Sequence, residues 1–211
     1  QDPYFSEYTR KYTDLPIQVM LRKHGDAYVS DRCLRASDFD GALGETNNPD
    51  WKTVAYDEAS GQIVAPNGSI GFRWGEEGKW NLEQRAKGGE AQLRLSQILD
   101  GHHDEVVGVD FPYFGGVATG DFVKCDHPEV LTRNIPARRA TLADGTEALV
   151  ATVFDLFCAN YGLDRGLGGK WVSKDFNDDS PYPPAWAEKI TGVGREKIIA
   201  VAREFAGNAD K

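Results

Sequence analysis

Between Pro66 and about Pro128 the chain sustains no hydrophobic period. Only Glu90 to Leu99, "EAQLRLSQIL", alternates enough to suggest a helix or strand. A stretch this long without secondary structure is uncommon in a compact domain unless it packs on something else. Its densest part is "NGSIGFRWGEEGKWNLEQ", Asn67 to Gln84, which is too rich in glycine for a helix and too irregular for a strand. Trp74 and Trp80 in that run are apolar anchors, suited either to an interface or to a small core under the loop. This stretch therefore divides the chain into three parts of one domain piece. Strands and a hairpin occupy 1–65, an irregular insertion 66–130, and a hairpin plus helices 131–211.

The flanks carry clearer periods. "LPIQVML", Leu15 to Leu21, reads as a buried strand, and "DAYVSDRCLRASDF" follows through His24-Gly25-Asp26 as its hairpin partner. A second hairpin joins Thr53–Tyr56 to Gln62–Val64 through Ala59-Ser60-Gly61. A third joins Ala140–Leu142 to Glu147–Val150 through Asp144-Gly145. Thr152, three residues before Asp155, opens a helix in the manner of a capping box. Val153, Phe154, Phe157 and Tyr161 fall on one face of that helix, and Gly162 closes it. Two more helices meet at Thr191-Gly192, the first starting at Pro184. The second carries the stripe Ile198, Val201, Ala202 and Phe205, ends at Gly207, and needs a surface to lie on. The fold class is mixed α/β: short hairpins, a long irregular region and a helical C-terminal third.

Composition narrows the partners. A formal charge of −9 argues against sequence-independent nucleic-acid binding, which needs a basic surface. The densest basic group, Arg133, Arg138 and Arg139, reads as a solvated strand edge. No run reaches the roughly 18 apolar residues of a membrane helix, so direct membrane insertion is not expected. Cys33, Cys125 and Cys158 are few, odd in number and far apart, which fits reduced thiols rather than a disulfide framework. The polar start, "QDPYFSEYTRKYTD", lacks the apolar core of a signal peptide. Starting at Gln1, the chain reads as an excised internal piece of a longer polypeptide.

The residues do not assemble a complete catalytic site. "GHHDE" with His102 and His103, and "CDH" with Cys125 and His127, lack the paired spacing of a zinc site and read as solvated loops. Three scattered cysteines cannot supply an iron–sulfur cluster. "GGVATG", Gly115 to Gly120, and "GLGGKW", Gly166 to Trp171, match neither a dinucleotide fingerprint nor a P-loop and read as turns. Glu76, Glu77 and Glu83 beside tryptophans resemble the carboxylates of sugar-cleaving sites, which keeps a carboxylate hydrolase as an alternative. A second alternative is a stand-alone ligand-binding module using Trp51, Trp74 and Trp80, which would be all-β.

Several stretches together resemble one family. "YTRKYTDLPIQVML", "CLRASDF", "NNPDWKTVAYD", "APNGSIGFRWGEEGKWNLEQR", "DFPYFGG", "LADGTEALVATVFDLFCANYGLDRGL" and "YPPAWAEKITGVGREKIIAVAREFA" resemble the alpha, catalytic subunit of respiratory nitrate reductase, within the dimethyl sulfoxide reductase superfamily of molybdoenzymes. The resemblance covers essentially the whole chain. It implies a parent several times longer, which reduces nitrate to nitrite at molybdenum held by two molybdopterin guanine dinucleotides and carries one 4Fe-4S cluster. It also implies an iron–sulfur beta subunit, a membrane cytochrome b gamma subunit, and a place on the cytoplasmic face of the cell membrane.

On this resemblance the cluster motif and the molybdenum-ligating aspartate lie upstream of the chain. "YTDLP", Tyr12 to Pro16, is similar to the surroundings of that ligand, but Pro16 runs straight into "IQVML", as in a later family segment. Asp14 is therefore not assigned to metal. The resemblance names no catalytic or metal-binding residue here and leaves pterin contacts unknown. It implies an isolated piece without metal, cofactor or nitrate-reducing activity, partnered by the rest of its own alpha subunit.

Overall fold

The computed structural model of the chain describes residues 3–39, 43, 49–66, 85–86, 89–98, 104–113 and 130–208. In chain order the elements are α1 (Pro3–Tyr12), β1 (Gln18–His24), β2 (Ala27–Cys33), a 3-10 turn (Ala36–Asp38), β3 (Ala55–Tyr56), β4 (Ile63–Val64), β5 (Arg85–Ala86), β6 (Gly89–Glu90), β7 (Glu105–Pro112), β8 (Val130–Thr141), β9 (Glu147–Thr152), α2 (Val153–Asn160), α3 (Pro184–Thr191) and α4 (Arg195–Asn208). The mixed α/β class with a helical C-terminal part is the one expected from the sequence. The long strands are joined in the order β1-β2-β7-β8-β9 and close as a barrel, while β3-β4 and β5-β6 form separate two-stranded ladders. The chain divides into two compact units, Gln1–Val107 with Ile135–Leu156, and Gly108–Asn134 with Phe157–Lys211.

In the first unit, β1 is hydrogen-bonded on both edges. It pairs antiparallel with β2, ending at His24↔Ala27, and with β9 at Gln18↔Thr152, Val19↔Ala151 and Met20↔Val150. The two-residue loop works because Gly25 adopts φ +57, a left-handed conformation that costs glycine little. β8 and β9 form the third hairpin, with Arg138↔Val150 and Thr141↔Glu147 in register and Gly145 at φ +81 in its turn. Asp144 supports that turn, its Oδ1 accepting from Thr146 N at 2.9 Å and Thr146 Oγ1 at 2.6 Å. Leu34, Val54 and Val150, all completely buried, centre a core with Ala36, Ala65, Ala140 and Ala148. Each large side chain buried there contributes about 1.5–3 kcal/mol.

In the second unit, α3 begins with Pro184, whose missing N–H is no loss in a first turn, and ends where Gly192 turns left-handed at φ +71. Arg195 Nε donates to Glu188 Oε2 at 2.7 Å and ties α4 to α3. α4 buries no residue, and Val201 and Phe205 are 60% and 80% exposed. Among the described residues no helix is long and apolar enough to cross a membrane.

Several local expectations are corrected. β7 lies inside the stretch read as irregular, and β8 begins at Val130, upstream of its expected start. Helix α4 passes through Gly207 to Asn208 rather than stopping at the glycine. The expected apolar face of α2 does not turn inward: Phe157 and Tyr161 are about half exposed, while Asp155, Cys158 and Ala159 are buried. The reason is polar. Asp155 is drawn inward by Ser96 and Gln97, and residues three and four positions on share its face.

Arg133, expected at a solvated strand edge, is instead fully buried. In β8, Leu131, Arg133, Ile135 and Ala137 point inward by the period of two, and Pro136 is buried as well. The inward phase then changes, so that Arg139 is exposed and Ala140 buried. Only Arg138 and Arg139 keep part of the expected solvent access, with side chains 23% and 52% exposed.

Candidate functional site

The most organised polar centre of the second unit is built on Arg133. Its Nε donates to Trp171 O at 2.7 Å, Nη1 to Asn160 O at 3.1 Å and Nη2 to Pro181 O at 2.6 Å. Its guanidinium carbon lies 5.4 Å from the centre of the Tyr182 ring. One planar cation thereby collects three carbonyls from a segment with little regular structure. Burial pulls the Arg133 pKa below its ordinary value, and Tyr182 opposes that shift. A guanidinium that stays protonated and engages carbonyl oxygens is a structural clamp, not an acid or base.

Aromatic rings extend the centre. Tyr182 meets Trp186 edge-on at 4.8 Å and stacks with Tyr113 at 6.1 Å, and Trp186 Nε1 donates to Tyr113 Oη at 3.3 Å. Gly162 lies against the clamp at φ +70. A Cβ there would overlap Pro181 O and come within 3.0 Å of Arg133 Nη2.

Beside it is an open recess of about 480 Å³ lined by Val130, Thr132, Asn134, Gly169, Lys170 and Trp171. Thr132 Oγ1 donates to Asp110 Oδ1 at 2.6 Å and Asn134 Nδ2 to Leu167 O at 3.0 Å. Of the described lining residues only Lys170 carries a charge, so they offer a cation and a ring but no paired base and nucleophile.

The first unit holds a second buried polar group. Asp155, 1% exposed, accepts from Ser96 Oγ at 2.6 Å and Gln97 N at 2.7 Å. Its own N–H donates to Thr152 Oγ1 at 3.0 Å, as the capping-box reading expects, but its carboxylate reaches across to another segment. Gln97 Nε2 also donates to Gln18 Oε1, with both side chains buried.

The sequence candidates fall on both sides of the described boundary. Trp74, Trp80, Glu76, Glu77, Glu83, His102, His103, Cys125, His127 and the Gly115 to Gly120 loop lie outside the described residues. Trp51 is 78% exposed, and its carbonyl accepts from Arg35 Nη1 at 3.0 Å. Cys33 is half-buried and Cys158 buried. Asp14 is exposed in the turn before β1, its carbonyl accepting from Ile17 N at 2.9 Å. The Gly166 to Trp171 loop, read as a turn, is a run of bends with a single bridge from Gly169 to Arg133, and Gly166, Gly168, Gly169 and Trp171 are all at positive φ. Among the described residues no three His, Cys, Asp or Glu side chains gather as metal ligands. Helices α1 to α4 also disagree with an all-β binding module.

Comparison with known proteins decides the family. The chain is 54% identical over 210 residues to the respiratory nitrate reductase 1 alpha chain of Escherichia coli (strain K12), covering 99% of this chain and 17% of that protein. The chain belongs to the nitrate reductase alpha-chain family. It is 47% identical over 209 residues to the respiratory nitrate reductase alpha chain of a Bradyrhizobium species, covering 99% of this chain and 19% of that one. With the nitrate reductase alpha chain of Bacillus subtilis (strain 168) it shares 37% over 207 residues, 97% of this chain and 16% of that one. No protein-family model matches. The chain thus spans about one sixth of the length of these nitrate reductase alpha chains and aligns with them essentially end to end.

Arg133, Gln18 and Gln97 escape sequence reading as site residues. The inward phase of "VLTRNIPA" is a signal for Arg133, since Leu131 and Ile135 share its face, but a charged residue in that phase reads by default as exposed.

Proposed function

We propose that the chain is a structural segment of a catalytic alpha subunit that reduces nitrate to nitrite in anaerobic respiration. The observation that carries this reading is 54% identity over 99% of the chain to a respiratory nitrate reductase alpha chain. In this reading molybdenum, two molybdopterin guanine dinucleotides and a 4Fe-4S cluster belong to the rest of the alpha subunit. The described residues of this chain do not present a metal-ligand set that fits either centre. The oxidation–reduction chemistry is the cofactor's, and this segment builds scaffold around it, with Asp14 outside the metal site. Its first partner is the remainder of its own alpha subunit. An iron–sulfur beta subunit and a membrane cytochrome b gamma subunit complete the complex on the cytoplasmic face of the membrane. Alone, the segment is inactive.

A chimera tests the reading. The 211 residues replace the aligned stretch of the Escherichia coli nitrate reductase 1 alpha chain, and nitrate reduction with a reduced viologen donor is measured in membranes. Activity within about tenfold of the parent enzyme is expected. An alpha chain that assembles with its cofactors but reduces no nitrate overturns the proposal, as does nitrate reduction by the isolated 211-residue chain above a heat-killed control.

A further inference from the structure

In the first unit, Arg94 N donates to Tyr56 O at 2.8 Å, which sets the Arg94 side chain beside the Tyr56 ring. The Arg94 guanidinium carbon is 5.6 Å from that ring's centre, and that of Arg138 is 5.0 Å from it. Two like charges therefore share one aromatic ring. Arg94 is 4% exposed and Tyr56 7%. Arg10 pairs with Glu58 at 3.2 Å, and Arg138 Nε lies 2.7 Å from Asp104 Oδ2 without hydrogen-bond alignment. Glu58 and Asp104, the described carboxylates nearby, are thus already taken. Among the described residues Arg94 forms no ion pair, and its Nε and Nη1 have no acceptor.

Burying a charge without a counter-charge is costly. Burial and then Arg138 pull the Arg94 pKa down, with Glu58 and Asp104 opposing. Among the described residues, two pairs and one leftover cation give this cluster a net charge of one. The group that completes it carries a single negative charge and oxygen acceptors, which guanidinium donors match well. The approach is from Arg138, whose side chain is 23% exposed, beside Asp104 at 53%.

We propose that Arg94 and Arg138, flanking Tyr56, form a binding site for an oxyanion, a carboxylate or phosphate group carried by a ligand or partner. The proposal does not depend on nitrate chemistry.

The test uses the full 211-residue chain labelled with 15N-arginine. The side-chain Nε–H signals are assigned with Arg94→Met and Arg138→Gln. Inorganic phosphate and acetate are titrated separately at constant ionic strength, with chloride as the balancing anion. Saturable downfield movement of the Arg94 and Arg138 signals is expected with at least one probe, and the probe that saturates names the class. Signals that stay still with both probes overturn the site, including the case in which an acid of the chain already holds these donors. Thermal unfolding gives an independent readout. At tenfold excess over Kd the active probe raises Tm by about 3–5 °C. Arg94→Met keeps or raises Tm in probe-free buffer and abolishes the rise. A lowered Tm with the probe effect intact overturns the proposal. If Arg94→Met fails to fold, the more exposed Arg138→Gln must cancel at least half the rise for the site to stand.

Discussion

Arg133 Nη2 donates to the carbonyl oxygen of Pro181 at 2.6 Å, across 48 residues of sequence. The same guanidinium holds Asn160 and Trp171 by their carbonyls, so the segment between α2 and α3 is organised around one side chain. That segment has no helix or ladder of its own to satisfy these oxygens. A buried carbonyl without a donor costs about 1–3 kcal/mol, which is why the clamp matters more than its single charge suggests.

Arg133→Met is expected to lower stability by about 3 kcal/mol or more, because it leaves three carbonyls without this donor. Arg133→Lys recovers less than half of that loss, since an ammonium lacks the planar fork that reaches three directions. Urea unfolding followed by tryptophan fluorescence checks both. Equal stability of the Met variant and the parent would contradict the clamp.

Gly162→Ala and Gly192→Ala separate backbone strain from crowding. Their φ values are nearly equal, +70 and +71, but a Cβ at 162 meets Pro181 O, Arg133 Nη2 and Trp171 O, while one at 192 meets nothing within 4 Å. Gly192→Ala should cost about 1 kcal/mol, the left-handed penalty alone. Gly162→Ala should cost at least about 2 kcal/mol more. Matching losses in thermal unfolding would show that the segment can move aside.

Asp155→Asn should be destabilising by about 2–4 kcal/mol although it is nearly isosteric. The carboxylate accepts from both Ser96 and Gln97 N, and an amide can offer only one oxygen to two donors. Hydrogen exchange reads the change directly: the Gln97 amide should exchange at least tenfold faster. Unchanged protection at Gln97 would sink the assignment.

Acid should destabilise the first unit through Asp38 and Asp57. The side-chain hydrogen bonds from Arg32 hold Asp38 below the ordinary carboxylate range, although burial opposes them. For Asp57 burial pushes upward, but the bonds from Ser60, Gln92 and Ala59 outweigh it and the pKa is again lowered. A folded pKa below the unfolded value of about 3.9 means stability that is fully present above that value and lost as pH falls through the folded one. Tm should therefore be flat from pH 7 to about 5 with respect to these groups and fall below about 4. Asp57→Asn should lower Tm at pH 7 and flatten the acid limb. An acid limb as steep as the parent's would rule out Asp57.

Phe205→Ser should change stability by less than about 0.5 kcal/mol, since the ring is 80% exposed and α4 buries nothing. The same change should reduce self-association of the isolated chain, because Phe205 and Val201 are apolar anchors open to solvent. Sedimentation at several concentrations measures it. A parent chain that is strictly monomeric would refute the second half.

The sequence by itself determined the features that close over a few residues. Gly25 and Gly145 supply the left-handed turns of two hairpins, Pro184 and Gly192 bound α3, and Thr152 caps Asp155 at the start of α2. These are local because the backbone geometry and its hydrogen bonds lie within one turn of the residue that provides them. The family was also readable, through stretches spread from Tyr8 to Ala206. Tertiary structure alone decided which polar side chains went inside. Arg133 meets acceptors 27, 38 and 48 residues away, Asp155 meets donors 58 and 59 residues away, and Gln97 finds Gln18 across 79. Without those partners each group would be worse off buried than in water, so residue type predicts exposure. Only the folded chain brings the partners close enough to reverse that balance, and in α2 the reversal turned Asp155 inward and left Phe157 and Tyr161 half exposed.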